Sequence, residues 1–164
     1  MNRNAFWALI DQARTQADSV LDAAPALTGL LLDLEPDETV AFAQHTKDLL
    51  AESYRWDLWA VAYIVNGGSS DNGFEYFRSW LIAQGRERFQ AALENPASIG
   101  DYAEPDENEC EDILYVAYEA NQSKTGEEFP YESVSSSPPA EPAGEPWDED
   151  ELEFLYPELC EEFF

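Results

Sequence analysis

Residues 54–65, Tyr54-Arg55-Trp56-Asp57-Leu58-Trp59-Ala60-Val61-Ala62-Tyr63-Ile64-Val65, form an almost unbroken apolar run that closes on Asn66-Gly67-Gly68. Such a segment has no polar face to leave in water, so the rest of the chain has to enclose it. Composition alone admits a buried strand. Length and the interleaved Leu58, Ala60 and Ala62 favour a buried helix, with Trp56, Trp59 and Tyr63 on one face at three- and four-residue spacing. The glycines end it, because glycine enters the left-handed backbone region without steric cost. The run falls well short of the ~20 residues that a membrane span requires.

The flanking segments supply amphipathic helices to do the enclosing. Asn4 can cap a first helix, in which Phe6, Leu9, Ile10, Ala13, Ala17, Val20 and Leu21 make one stripe. Pro25 breaks or restarts it, and Leu27, Leu30, Leu31 and Leu34 make a second. Pro36 suits the first turn of a third helix, with Asp37 and Glu38 favourable at its positive end. After the glycines, Ser69-Ser70-Asp71-Asn72-Gly73 is a turn that caps the next helix. Asn72 with Glu75 has the spacing of a capping box. That helix runs through Phe74, Phe77, Trp80, Leu81 and Ile82 to an interruption at Gly85, and resumes before Pro96. A further helix is predicted over 109–124. Residues 133–146 are rich in serine and proline and read as a linker. Asp148 and Glu151 have capping-box spacing for a last helix, which presents Leu152, Leu155 and Leu159. No βα alternation supports a dinucleotide-binding sheet.

Charge divides the chain. Residues 1–100 carry 14 acidic and 7 basic side chains, a net of -7, whereas residues 101–164 carry 21 acidic residues and one lysine, a net of -20. A salt-adapted surface would be acidic throughout. The total of -27 disfavours nucleic acid and anionic membranes as partners and favours a basic protein surface. The plainer alternative is a solvated face that keeps the protein soluble. Two cysteines, Cys110 and Cys160, show neither a disulfide framework nor metal spacing. The start, Met1-Asn2-Arg3-Asn4, leads into an amphipathic helix rather than a signal peptide, so the expected location is cytoplasmic.

Two groups of residues are candidates for a site. The Gly67–Gly73 loop precedes a helix N-terminus, and its glycines let backbone approach a ligand. Together with Ser70, Asp71, Asn72, Tyr76, Arg78 and Trp80 it outlines a possible pocket. It lacks the P-loop lysine, and Asp71 stands where a phosphate would sit. The alternative is a capped turn between two core helices. Arg55, Asp57 and Arg78 lie among aromatics, where charges are costly unless paired. They read as an ion pair fixing the central helices, or as the polar floor of a pocket walled by Trp56, Tyr76 and Trp80. A serine–histidine–aspartate set can be written with His45, the one histidine, but no nucleophile elbow surrounds Ser69 or Ser70. The acidic stretches lack the alternation and central glycine of a calcium loop. No catalytic residue, metal or cofactor is assigned.

The segment Tyr54-Arg55-Trp56-Asp57-Leu58-Trp59, the loop Gly67-Gly68-Ser69-Ser70-Asp71-Asn72-Gly73-Phe74 and the stretch Tyr76-Phe77-Arg78-Ser79-Trp80-Leu81-Ile82-Ala83-Gln84-Gly85 resemble the bacterial family catalogued as domain of unknown function 4240. The Phe6-Trp7 helix and the stretch from Asp148 to Leu159 are similar to it as well. The resemblance implies one domain and assigns no activity. Members often carry a second acid where Asn72 stands here, which weakens a paired-carboxylate mechanism in this chain.

The expected architecture is mainly α: a single helical domain over 1–132, with two central aromatic helices joined by the glycine-rich loop. A linker over 133–146 leads to an acidic amphipathic helix over 147–164 that packs back. The expected function is a non-enzymatic acidic interaction protein, inhibitor- or immunity-like, acting as a monomer or weak dimer on a basic protein. The alternative is a ligand-binding domain or enzyme using the pocket around Gly67–Gly73.

Overall fold

The computed structural model describes all residues from Met1 to Phe164. The elements are α1 (Arg3–Gln16), α2 (Ala23–Leu32), α3 (Pro36–Glu52), α4 (Trp56–Val65), α5 (Asp71–Ala83), α6 (Arg86–Glu94), α7 (Val116–Thr125), α8 (Leu152–Leu155) and α9 (Pro157–Phe163), joined by short 3-10 turns. There is no strand, so the fold is all-α. The apolar run is helical and enclosed: Leu58, Ala60, Val61, Ala62, Ile64 and Val65 are all buried. Each large side chain so buried contributes about 1.5–3 kcal/mol.

An aromatic ladder joins α4 to α5. Trp56 stacks on Trp59 at 5.4 Å, Trp59 on Phe74 at 4.8 Å, and Phe77 lies 5.5 Å from Trp80. Helix α1 closes the other side, with Phe6 at 4.6 Å from Phe42 and Trp7 at 5.4 Å from Phe89. Helix α7 packs against α2 and α3.

Several local expectations need correction. Asn2, not Asn4, caps α1, its Oδ1 accepting from Ala5 N at 2.8 Å. Pro25 does not break the first helix, which already ends at Gln16; it marks the restart that the sequence also allows. It sits in the first turn of α2, where the missing N–H has no intrahelical acceptor to lose. The predicted helix over 109–124 is two pieces, a 3-10 turn at Glu111–Leu114 and then α7. The last helix is also two pieces. Tyr156 precedes Pro157 and leaves helical geometry at φ -137°, ψ 66°, as pre-proline crowding favours. The break splits the face that the sequence presents as continuous. Leu152 and Leu159 are buried, while Leu155 is 48% exposed.

The serine- and proline-rich segment is tied to the helices at both ends. Ser135 N donates to Gln44 Oε1 at 2.8 Å, and Gln44 Nε2 donates to Ser135 O at 2.9 Å. Further on, Trp56 N donates to Ala143 O and Ala143 N to Tyr54 O, both at 2.9 Å. Trp147 Nε1 donates to Trp56 O at 2.7 Å. Helix α9 lies so close to Gly100 that a Cβ there would overlap Leu159 Cδ2.

Candidate functional site

The Gly67–Gly73 loop closes on itself. Gly67 and Gly68 take φ values of +64° and +128°, and Gly68 N donates to Tyr63 O at 2.7 Å. Ser70, rather than Asn72, caps α5: its Oγ accepts from Gly73 N at 3.1 Å, and Phe74 N donates to Ser70 O at 2.8 Å. The helix therefore starts at Asp71, two residues before an Asn72 cap would place its first residue, and the expected capping box does not form. Trp59 Nε1 donates to Ser69 O at 2.9 Å, which pins the loop to α4. Asp71 is exposed in the first turn, favourable to the helix dipole.

The concavity lies further along α5, not at the loop. A cleft of about 690 Å³ opens between α3, α5, the start of α7 and the strap at 135–139. Asn72, Tyr76 and Arg78 line it, whereas Ser70, Asp71 and Trp80 do not. Trp80 is buried against Phe77 and Tyr102, whose ring is 5.8 Å away. Periodicity missed Lys47, Asp48, Tyr54, Tyr115, Tyr118 and the strap serines, which also line the cleft. Nothing local marks them, because they come from α3, the turn after it, the start of α7 and the strap, which lie far apart in sequence.

The three charges proposed as a cluster separate. Arg55 pairs with Asp57, Nε to Oδ1 at 3.0 Å and Nη2 to Oδ2 at 2.5 Å, and Asp57 Oδ1 also accepts from Leu58 N. This pair is partly exposed and contributes about 0–1 kcal/mol. It borders a second cavity of about 370 Å³ with Trp147, Leu155 and Tyr156. Burial, then the nearby Asp57 carboxylate, raises the pKa of the Tyr156 phenol.

Arg78 is not part of that pair. Its guanidinium lies over the Tyr54 and Phe74 rings, 4.7 and 4.6 Å from their centroids. Nη1 donates to Leu50 O at 2.6 Å and Nε to Phe74 O at 3.3 Å. Burial lowers its pKa, with Glu75 opposing the shift. The Tyr76 phenol is pushed up by burial, then by Glu111, Glu75 and Glu109. The Tyr115 phenol is pushed up first by its hydrogen bond to Glu111, at 3.1 Å. Both hydroxyls are therefore protonated donors at neutral pH.

His45 contacts Met1 O through Nε2 at 3.0 Å and lies 5.7 Å from the Phe6 ring. It bonds neither Ser69 nor Ser70, so no catalytic triad is assembled. No group of three or more His, Cys, Asp or Glu side chains is placed to hold a metal ion, and no helix is long and apolar enough to cross a membrane.

At the C-terminal end, every carboxylate from Glu141 to Glu162 is exposed. Phe154 stands among them at 88% exposure, beside Leu155.

The family described as "Protein of unknown function (DUF4240)" matches residues 1–123. No curated protein and no solved structure matches the chain.

Proposed function

The chain belongs to the DUF4240 family, and we propose that this member is a non-enzymatic interaction module that presents its acidic C-terminal face to a basic protein. The observation that carries this reading is Phe154, a large apolar side chain 88% exposed immediately after the acidic stretch from Asp148 to Glu153. It is by far the most exposed of the chain's large apolar side chains. An apolar anchor ringed by like charges suits a partner with an apolar pocket inside a basic rim. The carboxylates speed encounter and reject acidic competitors, and Phe154 with Leu155 supplies contact that salt does not screen. An inhibitor or immunity-like factor, which blocks a basic protein by covering it, is the class of protein this fits.

The test compares the wild type with Phe154→Ser, which leaves net charge unchanged. Each is used as bait at low salt and at ~0.15 M salt, where exposed charges beyond about 8 Å are screened. The expected result is one discrete basic protein, retained by the wild type at the higher salt and released by the variant. The stability of Phe154→Ser should stay within about 0.5 kcal/mol of wild type. Equal retention by both baits, or capture of any basic protein in proportion to its charge, reduces the face to a solubilising surface. Tight binding of DNA or RNA at the higher salt would exclude the reading.

A further inference from the structure

Arg78 is a buried cation without an anion. It is 8% exposed, yet the chain's three salt bridges are Arg3–Glu52, Arg14–Asp11 and Arg55–Asp57. A guanidinium carries five N–H donors and stays charged. Two of the five are used, on the carbonyls of Leu50 and Phe74. Nη2 makes no hydrogen bond within the chain, and Arg78 is part of the cleft wall. Nη2 keeps some accessible area rather than being sealed in without a partner, so an incoming acceptor can reach it and pair the charge.

Glu75 sharpens the point. It lies three residues before Arg78 on α5, a spacing that normally closes an ion pair. Here the guanidinium folds back over Tyr54 towards Leu50 O, and the pair stays open while both residues line the same cleft. Lys47 and Asp48 line it too, so the charged lining is two cations and two carboxylates. A phosphate would meet the two carboxylates as well as the field of a chain at -27. A molecule with both charges meets neither penalty. A volume of about 690 Å³ lies within the range of small-molecule sites.

We infer that this cleft binds a small zwitterion of the amino-acid type. Its carboxylate sits on the free Nη2 edge of Arg78 and its ammonium at Glu75. An apolar side chain lies against Tyr54, Tyr76 and Tyr118. A carboxylate oxygen suits the Nη2 hydrogens, which it meets in a charge-assisted bond. The site is separate from the acidic C-terminal face and does not depend on it.

The experiment is thermal denaturation and calorimetric titration of the full chain with each of the twenty common L-amino acids. Inorganic phosphate, phenethylamine and 3-phenylpropionate serve as controls. The expected result is a saturable rise in melting temperature with at least one apolar amino acid such as L-phenylalanine or L-leucine. Phenethylamine, lacking the carboxylate, and 3-phenylpropionate, lacking the ammonium, should bind at least tenfold more weakly than L-phenylalanine. Glu75→Gln and Arg78→Lys should each weaken the amino acid at least tenfold. Glu75 is only half-buried, so its variant reports even if Arg78→Lys does not fold. Three outcomes overturn the inference: no amino acid binds, phosphate or 3-phenylpropionate binds as tightly, or Glu75→Gln retains full affinity.

Discussion

The helices over 1–123 and the segment over 124–164 are built on opposite principles. The first region interlocks through its own helices, α2 against α1 and α7 and α3 against α7, with aromatic contacts crossing from α1 to α3 and α6, and from α4 to α5. The second carries thirteen acidic residues and one lysine, and is fixed at a few points. Beyond residue 140 it adds only Leu152, Leu159 and Cys160 to the buried core. Directional bonds at Ala143 and Trp147 hold the rest. A strongly charged segment can therefore dock without burying a single charge, provided its apolar pegs are spaced to let every carboxylate face water. Burying one of those carboxylates unpaired would cost more than the pegs contribute.

The comparison can be broken at several points. Phe77→Ala removes a fully buried ring at the centre of the helical body, and should cost about 3–5 kcal/mol in chemical denaturation. Circular dichroism and tryptophan fluorescence should give one coincident transition. Two separate transitions would mean that the C-terminal segment is stable apart from the body.

Leu152→Ala tests the segment directly. The side chain is fully buried, so the expected loss is about 2–5 kcal/mol, and the melting temperature should fall by ~2–4 °C for each kcal/mol. An unchanged melting temperature would make the segment an appendage.

Gly100→Ala strikes the same contact from the other side. Its Cβ would overlap Leu159 Cδ2, and overpacking of this kind costs about 1–3 kcal/mol. Hydrogen exchange should quicken in α9 and stay slow in α4. Uniform acceleration would show that the two regions unfold as one unit even locally.

The smallest effect separates the two residues that compete to cap α5. Ser70→Ala should cost about 0.5–2 kcal/mol, because it removes the acceptor for Gly73 N. Asn72→Ala, at an exposed position inside the helix, should stay within about 0.5 kcal/mol. The reverse order would restore the cap read from the sequence.

What was legible in the chain is local. The helical spacing of Phe6, Ile10 and Ala13, the stop at Gly67-Gly68 and the Asp148–Glu151 capping box are nearest-neighbour matters and appear as expected. The site was only partly legible. Asn72, Tyr76 and Arg78 do line a cleft, but the glycine loop that drew attention to them does not. Ser70, a pocket candidate by its place in the loop, serves as a cap, since a serine before a helix satisfies a backbone N–H whether or not a ligand is near.

The sequence by itself determined the helical class, the helix stops and the uneven charge, because each follows from backbone sterics, period or a sum over residues. The tertiary structure decided what Arg78 touches. Asp57 was the nearest candidate among the aromatics, but Arg55 is two residues from it and closes the pair locally. Arg78 instead meets Leu50 O from α3 and Tyr54 from the turn that follows it. One wall of the cleft beside it is the strap that Ser135 ties to Gln44, 91 positions earlier. No periodicity encodes a bond between residues so far apart, and only packing of the whole chain brings them within reach.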